Sequence, residues 1–149
     1  GASIWHLATH PEDRRRLVAE PELTVTAVEE FLRAYAPVTM ARIATTDVEV
    51  AGRTIKAGDK VLMTFPAANR DPGQFERADE VIIDRAVNRH VAFGVGVHRC
   101  AGSNLARMEM VVAIEEFLRA LPGFGLDPQG ELTFAGGQVR GPRQLPIGY

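Results

Sequence analysis

Residues 93–102 read Phe-Gly-Val-Gly-Val-His-Arg-Cys-Ala-Gly and form a glycine-rich loop that holds the only cysteine of the chain, Cys100. A helical pattern begins directly after this loop. The free N–H groups at a helix start favour a negatively charged sulfur. Because glycine lacks a Cβ atom, Gly94, Gly96 and Gly102 let the backbone take positive φ and lie against a flat partner.

Two interpretations of this loop differ in the role of Cys100. A single cysteine beside glycines is most often an inert core thiol. The whole ten-residue pattern favours a soft metal ligand instead, because His98 and Arg99 add groups that can meet carboxylates. A porphyrin with two propionates and an iron that accepts thiolate meets all these demands together.

The composition excludes several classes of protein. The 149 residues are 46% hydrophobic and 24% charged, as in ordinary globular domains, and the net charge of −2 gives no case for nucleic acid. No apolar run approaches the roughly 20 residues of a membrane span, and no signal peptide precedes the first helix. One cysteine excludes an internal disulfide, so we expect a reducing, cytoplasmic setting without membrane contact.

The periodicity predicts a mainly α fold with small antiparallel β-sheets, the α+β class. Ser3, a candidate N-cap, opens a helix over 3–9, and a second helix follows Pro11. Turn residues place a C-terminal hairpin at 132–149, with turns at Gly136-Gly137 and Gly141-Pro142. The predicted segments are 1–19 (two helices), 26–36 (helix), 38–65 (small sheet), 66–102 (long loop), 103–121 (amphipathic helix) and 132–149 (hairpin).

The helix at 26–36 carries a candidate ion pair. Thr26-Ala27-Val28-Glu29 has the pattern of a capping box, and Pro37 closes the helix. Glu30 and Arg33 lie three residues apart and therefore on one face. Such a pair is commonly a surface bridge worth under about 1 kcal/mol.

Two patterns together resemble the cytochrome P-450 superfamily of the soluble bacterial type. Residues 93–102 match its heme-binding signature Phe-Gly-x-Gly-x-His-x-Cys-x-Gly, and Glu30 to Arg33 matches its Glu-x-x-Arg signature. The resemblance implies the C-terminal part of that fold, with Cys100 as axial thiolate of heme b and a buried Glu30–Arg33 pair. It further implies that the loop packs under the heme and contacts it through Phe93, Gly94, Ala101 and Gly102. His98 and Arg42 are implied to reach the heme propionates.

Several implied roles leave alternatives open. Val38 and Val139 are candidates for the substrate pocket, and either is equally a core residue. The superfamily places an arginine–aromatic pair where this chain has Glu80-Val81, so the third partner of Glu30 and Arg33 is Arg77 or Arg85. A docking face for a redox partner is implied for Arg89, Arg99 and Arg107, although arginines near a heme also pair with structural carboxylates.

The resemblance implies a heme-thiolate monooxygenase that oxygenates a small apolar molecule with electrons from a ferredoxin or flavin reductase. The chain corresponds to less than half of such a protein, from the tail of its central helix onward, and Thr45-Thr46-Asp47 does not supply the distal acid/alcohol pair. The remaining N-terminal part, or self-association, would cover its exposed apolar faces. The alternatives are a non-catalytic fragment that only binds heme or self-associates, and a peroxide-using or rearranging heme-thiolate enzyme.

Overall fold

The computed structural model describes residues 1–149 and contains five α-helices, joined by 3₁₀ turns at Pro21–Leu23 and Gly96–His98. The helices are α1 (Ala2–Thr9), α2 (Pro11–Ala19), α3 (Thr24–Ala34), α4 (Phe65–Ala68) and α5 (Ser103–Ala120). None of these helices has the length and apolar character needed to cross a membrane.

The strands form four small antiparallel pairs. They are β1 (Thr39–Ile43), β2 (Val48–Val50), β3 (Arg53–Ile55), β4 (Lys60–Thr64), β5 (Gly125–Leu126), β6 (Thr133–Ala135), β7 (Gly141–Gln144) and β8 (Ile147–Gly148). β1 pairs with β4, β2 with β3, β5 with β8 and β6 with β7. The predicted class, mainly α with small antiparallel sheets, is therefore confirmed.

One apolar core joins the helices. It is formed where α3 packs against α1 and α5, and where α2 packs against the same two helices. Its fully enclosed members include Leu7, Phe31, Ile83, Ile114 and Phe124. Burial of such side chains stabilises each by about 1.5–3 kcal/mol relative to an exposed position. This core fixes the start of α5, and hence the end of the loop that carries Cys100.

The start of α3 differs from the capping-box prediction. The helix begins at Thr24 because the 3₁₀ turn at Pro21–Leu23 leads directly into it. The Thr26 hydroxyl donates a 2.9 Å hydrogen bond back to the Leu23 carbonyl. The Glu29 carboxylate does not return to the helix start, because it is held by side chains from other segments, described below.

Three further boundaries differ from the prediction. Helix α1 begins at Ala2 with Gly1 before it, so Ser3 is not its N-cap. The segment after β4 contains the short helix α4, where a continuous loop was expected. At the C-terminus Gly141-Pro142 is no turn: it opens β7, while β8 pairs with β5 and not with its neighbour in sequence.

Helix α5 buries only part of its apolar surface. Ile114 and Leu118 enter the core, whereas Leu105, Met108 and Val112 are 54%, 59% and 53% exposed. These three residues are spaced at helical intervals and so form a single exposed stripe. Helix α5 therefore has two apolar faces: Ile114 and Leu118 lie on the buried face, and the three exposed residues lie on the other.

Candidate cofactor site

The loop around Cys100 is closed by its own backbone. The Cys100 N–H donates to the Phe93 carbonyl over 2.9 Å, and the Gly94 N–H donates to the Val91 carbonyl over 2.8 Å. A single 3₁₀ turn, Gly96–His98, lies between them. These backbone hydrogen bonds close the ten residues into one compact loop.

Two glycines allow this path. Gly94 and Gly96 have φ values of +71° and +69°, in the left-handed region that favours glycine. A Cβ on Gly94 would stand 3.7 Å from the Phe65 ring and 3.9 Å from the His98 carbonyl oxygen. The backbone strain, more than the available space, therefore selects glycine at these positions.

The surroundings of Cys100 fit a heme held by one thiolate. The cysteine is exposed and unbridged, and Gly102, two residues after it, is the N-cap of α5. A Cβ on Gly102 would lie 3.9 Å from the Cys100 sulfur, so this position borders the sulfur directly. No group of three or more metal-ligating side chains exists elsewhere in the chain, so the donor set is a single soft sulfur beside an open loop.

The candidate propionate ligands occupy exposed positions. His98 lies in the 3₁₀ turn of the loop, two residues before Cys100. Arg42 lies on β1 opposite Val61, and its guanidinium donates only to the neighbouring Ala41 carbonyl, over 2.9 Å. No hydrogen bond joins Arg42 to the loop, and its charge is free to meet an added carboxylate.

The two pocket candidates lie side by side. Val38 and Val139 form an isolated antiparallel β-bridge, flanked by hydrogen bonds from Thr39 N–H to Gln138 O (2.9 Å) and from Arg140 N–H to Pro37 O (2.8 Å). Val139 is 60% exposed, so it is not a core residue. A cleft of about 770 Å³ lies next to this bridge, and no residue of the 93–102 loop lines it.

Glu30 and Arg33 form a fully buried bidentate pair. Arg33 Nε and Nη2 donate to the two Glu30 carboxylate oxygens, each over 2.8 Å, and both side chains are 0% exposed. The other Arg33 donors bond to the backbone carbonyls of three residues, Asn69, Ala78 and Glu80. All five guanidinium N–H groups are thereby satisfied, and a surface bridge is ruled out for this pair.

The third side-chain partner of the pair is Arg85. Its Nε donates to Glu30 Oε2 over 3.0 Å, and the Asn88 amide donates to the same oxygen over 3.0 Å. Arg77, the other candidate, forms an exposed pair with Glu80. Burial raises the pKa of Glu30, but the hydrogen bonds from Arg33, Ile82 N–H and Arg85 outweigh burial and hold that pKa below its usual value.

A second charged cluster was missed in the sequence. Glu29 accepts hydrogen bonds from Arg107 Nε (2.5 Å), Arg107 Nη2 (3.0 Å) and His90 Nε2 (3.0 Å). Arg107 is therefore paired with a structural carboxylate, which is the alternative to a docking role that the sequence left open. Arg89 and Arg99 are exposed and form no side-chain hydrogen bond. The only sequence signal for this cluster was Glu29 beside Glu30, and the sequence analysis had assigned Glu29 to the capping box.

The structure also accounts for Thr45-Thr46-Asp47. These residues are exposed between β1 and β2, where Asp47 accepts hydrogen bonds from Lys56 Nζ (2.6 Å) and the Ala57 N–H (2.9 Å). Asp47 therefore stabilises the turn that follows β2 and β3 through Lys56 and Ala57.

Comparison with known proteins agrees with this geometry. The family model described as Cytochrome P450 matches residues 6–129. Mycinamicin IV hydroxylase/epoxidase from Micromonospora griseorubida is 45% identical over 150 residues, covering 97% of this chain and 38% of that protein. Cytochrome P450-SU2 from Streptomyces griseolus is 46% identical over 147 residues, covering 96% of this chain and 36% of that protein.

The fold gives the same result. The crystal structure of cytochrome P450 CYP101C1 superposes with a TM-score of 0.94 at 42% sequence identity, covering 100% of this chain and 38% of that one. The chain thus spans less than two fifths of the length of the relatives it matches. Because the family model, the sequence relatives and the superposed fold all include the closed loop around Cys100, this chain belongs to the cytochrome P450 family.

Proposed function

We propose that this chain is the heme-ligating part of a heme-thiolate monooxygenase. The observation that carries the proposal is an exposed cysteine in a glycine loop closed by backbone hydrogen bonds at the start of α5, in a chain of the cytochrome P450 family. Family membership implies heme b as the cofactor. When bound, a heme with a thiolate ligand supplies the activation of dioxygen needed to oxygenate an unactivated C–H bond.

Each loop residue has a defined task toward that cofactor. Cys100 provides the sulfur ligand, and the helix start behind it favours negative charge at this point. The lack of side chains at Gly94 and Gly102 permits close approach of the ring, with Phe93 and Ala101 forming the rest of the contact surface. His98 and Arg42 then meet the propionates, since neither side chain pairs with a carboxylate of the protein.

The substrate is proposed to be a small apolar molecule. The bridge between Val38 and Val139 places two branched apolar side chains next to each other at the edge of β1. One relative is named as a hydroxylase/epoxidase of mycinamicin IV, and this supports an organic small molecule as the substrate. The two valines would contact such a substrate by shape and not by hydrogen bonding.

Electrons would come from a ferredoxin or flavin reductase. Arg89 and Arg99 flank the loop and carry charges that no protein carboxylate neutralises, so they suit an acidic partner. The lone exposed cysteine suits a reducing compartment, and we place the protein in the cytoplasm on that ground.

Activity also needs groups outside the matched region. The exposed stripe of Leu105, Met108 and Val112 must be covered, either by the remaining part of the same fold or by self-association. The former is favoured because the relatives are more than twice as long as the region they share with this chain. Water exclusion and proton delivery on the distal side would come from that remaining part.

A chimeric protein tests the proposal. The part of mycinamicin IV hydroxylase/epoxidase that this chain does not match is joined to residues 1–149, and heme incorporation and turnover of mycinamicin IV are measured with a ferredoxin system. We expect a thiolate-ligated heme and hydroxylated product, both lost in the Cys100→Ser chimera. A chimera that binds heme through its thiolate but gives no oxygenated product would support the non-catalytic or rearranging alternatives.

A further inference from the structure

Three charged or polar side chains outside the heme signature meet behind the loop. They are Glu29 on α3, His90 three residues before Phe93, and Arg107 on the second turn of α5, and we call them the loop brace. The carboxylate of Glu29 is shared by the other two, with N···O distances of 2.5, 3.0 and 3.0 Å. Burial raises the pKa of Glu29, but the hydrogen bonds from Arg107 and His90 hold it below its usual value.

Arg107 connects the brace to the loop itself. Its guanidinium carbon lies 4.8 Å from the centre of the Phe93 ring, while its Nε and Nη2 are held by Glu29. The guanidinium is thus fixed on one edge by a bidentate carboxylate and on one face by an aromatic ring. A cation over an aromatic ring that also makes two hydrogen bonds to one carboxylate is a geometry that arginine provides and lysine does not.

His90 fixes the entry to the loop. Its Nδ1 accepts a hydrogen bond from the Ala92 N–H over 3.2 Å, so Nε2 carries the proton that is donated to Glu29. The next residue is anchored as well, because the Val91 N–H donates to the buried Asn69 side chain over 2.8 Å. The backbone leading to Phe93 is therefore held at two successive residues.

A backbone hydrogen bond links the position of Phe93 to that of Cys100. The Phe93 carbonyl accepts the Cys100 N–H over 2.9 Å, so a displaced Phe93 would displace the sulfur ligand. The path runs from Glu29 through Arg107 and Phe93 to Cys100, with every step a contact of 4.8 Å or less.

We propose that Glu29 and Arg107 are positioning residues that preform the ligand loop: Glu29 orients Arg107, and Arg107 holds Phe93 so that Cys100 is placed before heme arrives. The proposal rests on the proposed function, since it assigns the preformed loop to heme ligation. This role explains why Arg107 contacts Phe93 while it is held by two hydrogen bonds to Glu29, and not as a single unpaired charge.

Amide hydrogen exchange in the heme-free chain tests the brace without relying on the cofactor. Arg107→Lys retains the charge but loses the paired hydrogen bonds to Glu29 and the guanidinium contact with the Phe93 ring. We expect exchange of the Cys100 amide to accelerate roughly tenfold, in line with the loss of a partly buried stacked cation. The matched control is Arg119→Lys on the same helix, where the exposed pair with Glu116 leaves the Cys100 amide unaffected. Equal exchange in the Arg107→Lys variant and the unaltered chain would overturn the proposal.

A second variant distinguishes the loss of the Arg107–Phe93 contact from a general loss of structure. Phe93→Leu keeps the Glu29–Arg107 pair and removes only the stacked face, so it should accelerate Cys100 exchange to a similar degree. Combined with Arg107→Lys it should add little, because both changes break the same contact. Fully additive effects would show that Arg107 does not act through Phe93.

The heme-loaded chain provides a separate readout. After reduction and addition of carbon monoxide, Arg107→Lys and Glu29→Gln should shift part of the Soret absorption from the thiolate-ligated to the neutral-thiol form, with Arg119→Lys unchanged. A fully thiolate-ligated spectrum in both variants would overturn the positioning role. Failure of the unaltered chain to ligate heme through sulfur would count against the proposed function instead, and the exchange experiment would still decide whether the brace orders the loop.

Discussion

Glu30 and Arg33 face each other across one turn of α3 through two parallel hydrogen bonds of 2.8 Å, and neither side chain is exposed to solvent. Their remaining hydrogen-bonding capacity is filled by groups between 36 and 58 residues further along the chain. The pair therefore ties α3 to the long segment that leads to the ligand loop. A buried charge pair of this kind is costly to form and more costly to break on one side only.

The first prediction compares two Glu-x-x-Arg pairs in the same chain. Glu30→Ala should lower the free energy of unfolding by about 3–5 kcal/mol, because Arg33 and Arg85 lose their buried counter-charge. Glu116→Ala breaks an exposed pair with Arg119 at the same spacing and should cause little or no loss. Urea denaturation of both variants makes the measurement. Similar losses at the two positions would mean that burial does not govern the Glu30 pair.

The second prediction concerns the third partner. Arg85→Ala should destabilise the chain by roughly 2 kcal/mol, since a charged hydrogen bond to the buried Glu30 is lost. Arg77→Ala removes a fully exposed cation, so the urea midpoint should stay where it is. If instead Arg77→Ala were the more harmful change, the assignment of Arg85 would be wrong.

The third prediction is a loss of stability on mild acidification. His6 is 1% exposed, with Nδ1 2.7 Å from the Tyr35 hydroxyl, Nε2 2.8 Å from Asp13 and a stacked His10 ring 4.0 Å away. Burial and the His10 charge lower the pKa of His6, outweighing the upward effect of Asp13 and Glu12, so the fold favours the neutral ring. Stability is then complete above the unfolded value of 6.5 and falls as the pH drops below it.

The measurement is the free energy of unfolding between pH 5 and pH 8. A single His proton contributes a slope of at most about 1.4 kcal/mol per pH unit. His6→Gln, which keeps polar atoms but cannot titrate, should flatten the part of the curve below pH 6.5. The buried His90 has the same direction of pKa shift and accounts for the slope that remains. An identical curve in the His6→Gln variant would show that His6 does not titrate with unfolding.

The fourth prediction concerns the 149 residues by themselves. Supplied with heme and an electron donor, they should not couple electron consumption to hydroxylation, because Cys100 lies at an open surface and we infer that the distal proton-delivering groups lie in the remaining part of the fold. The ratio of product formed to electrons consumed is the quantity to measure, against the chimera as the active reference. Coupled product formation by residues 1–149 would show that the shared region supplies more of the catalytic site than we infer.

Local signals predicted much of the fold. Hydrophobic periodicity and turn residues located the helices near 11–19 and 103–121 and the strand region after Pro37, because those elements follow their intrinsic preferences. The ligand loop was readable because its glycines and cysteine are consecutive in sequence. Confirmation of the family and its heme cofactor rests on the same ten residues together with the matched region.

Long-range polar contacts could not be predicted in the same way. The acceptors of Arg33 are backbone carbonyls, which carry no residue signature, and Asn88 offered no pattern that would point to Glu30. The capping-box prediction failed for a related reason: the Glu29 carboxylate finds a bidentate arginine, which is a stronger partner than a backbone N–H. Tertiary structure thus overrides the local rule wherever a distant charge is available.

The central claim is that Cys100 is the iron ligand, and the ferrous carbonyl spectrum tests it most directly. The 149-residue chain is loaded with heme, reduced and exposed to carbon monoxide, alongside the Cys100→Ser variant. We predict the strongly red-shifted Soret band of a thiolate-ligated heme in the unaltered chain and its complete absence in the variant. Retention of that band by Cys100→Ser, or its absence from the unaltered chain, would contradict the assignment.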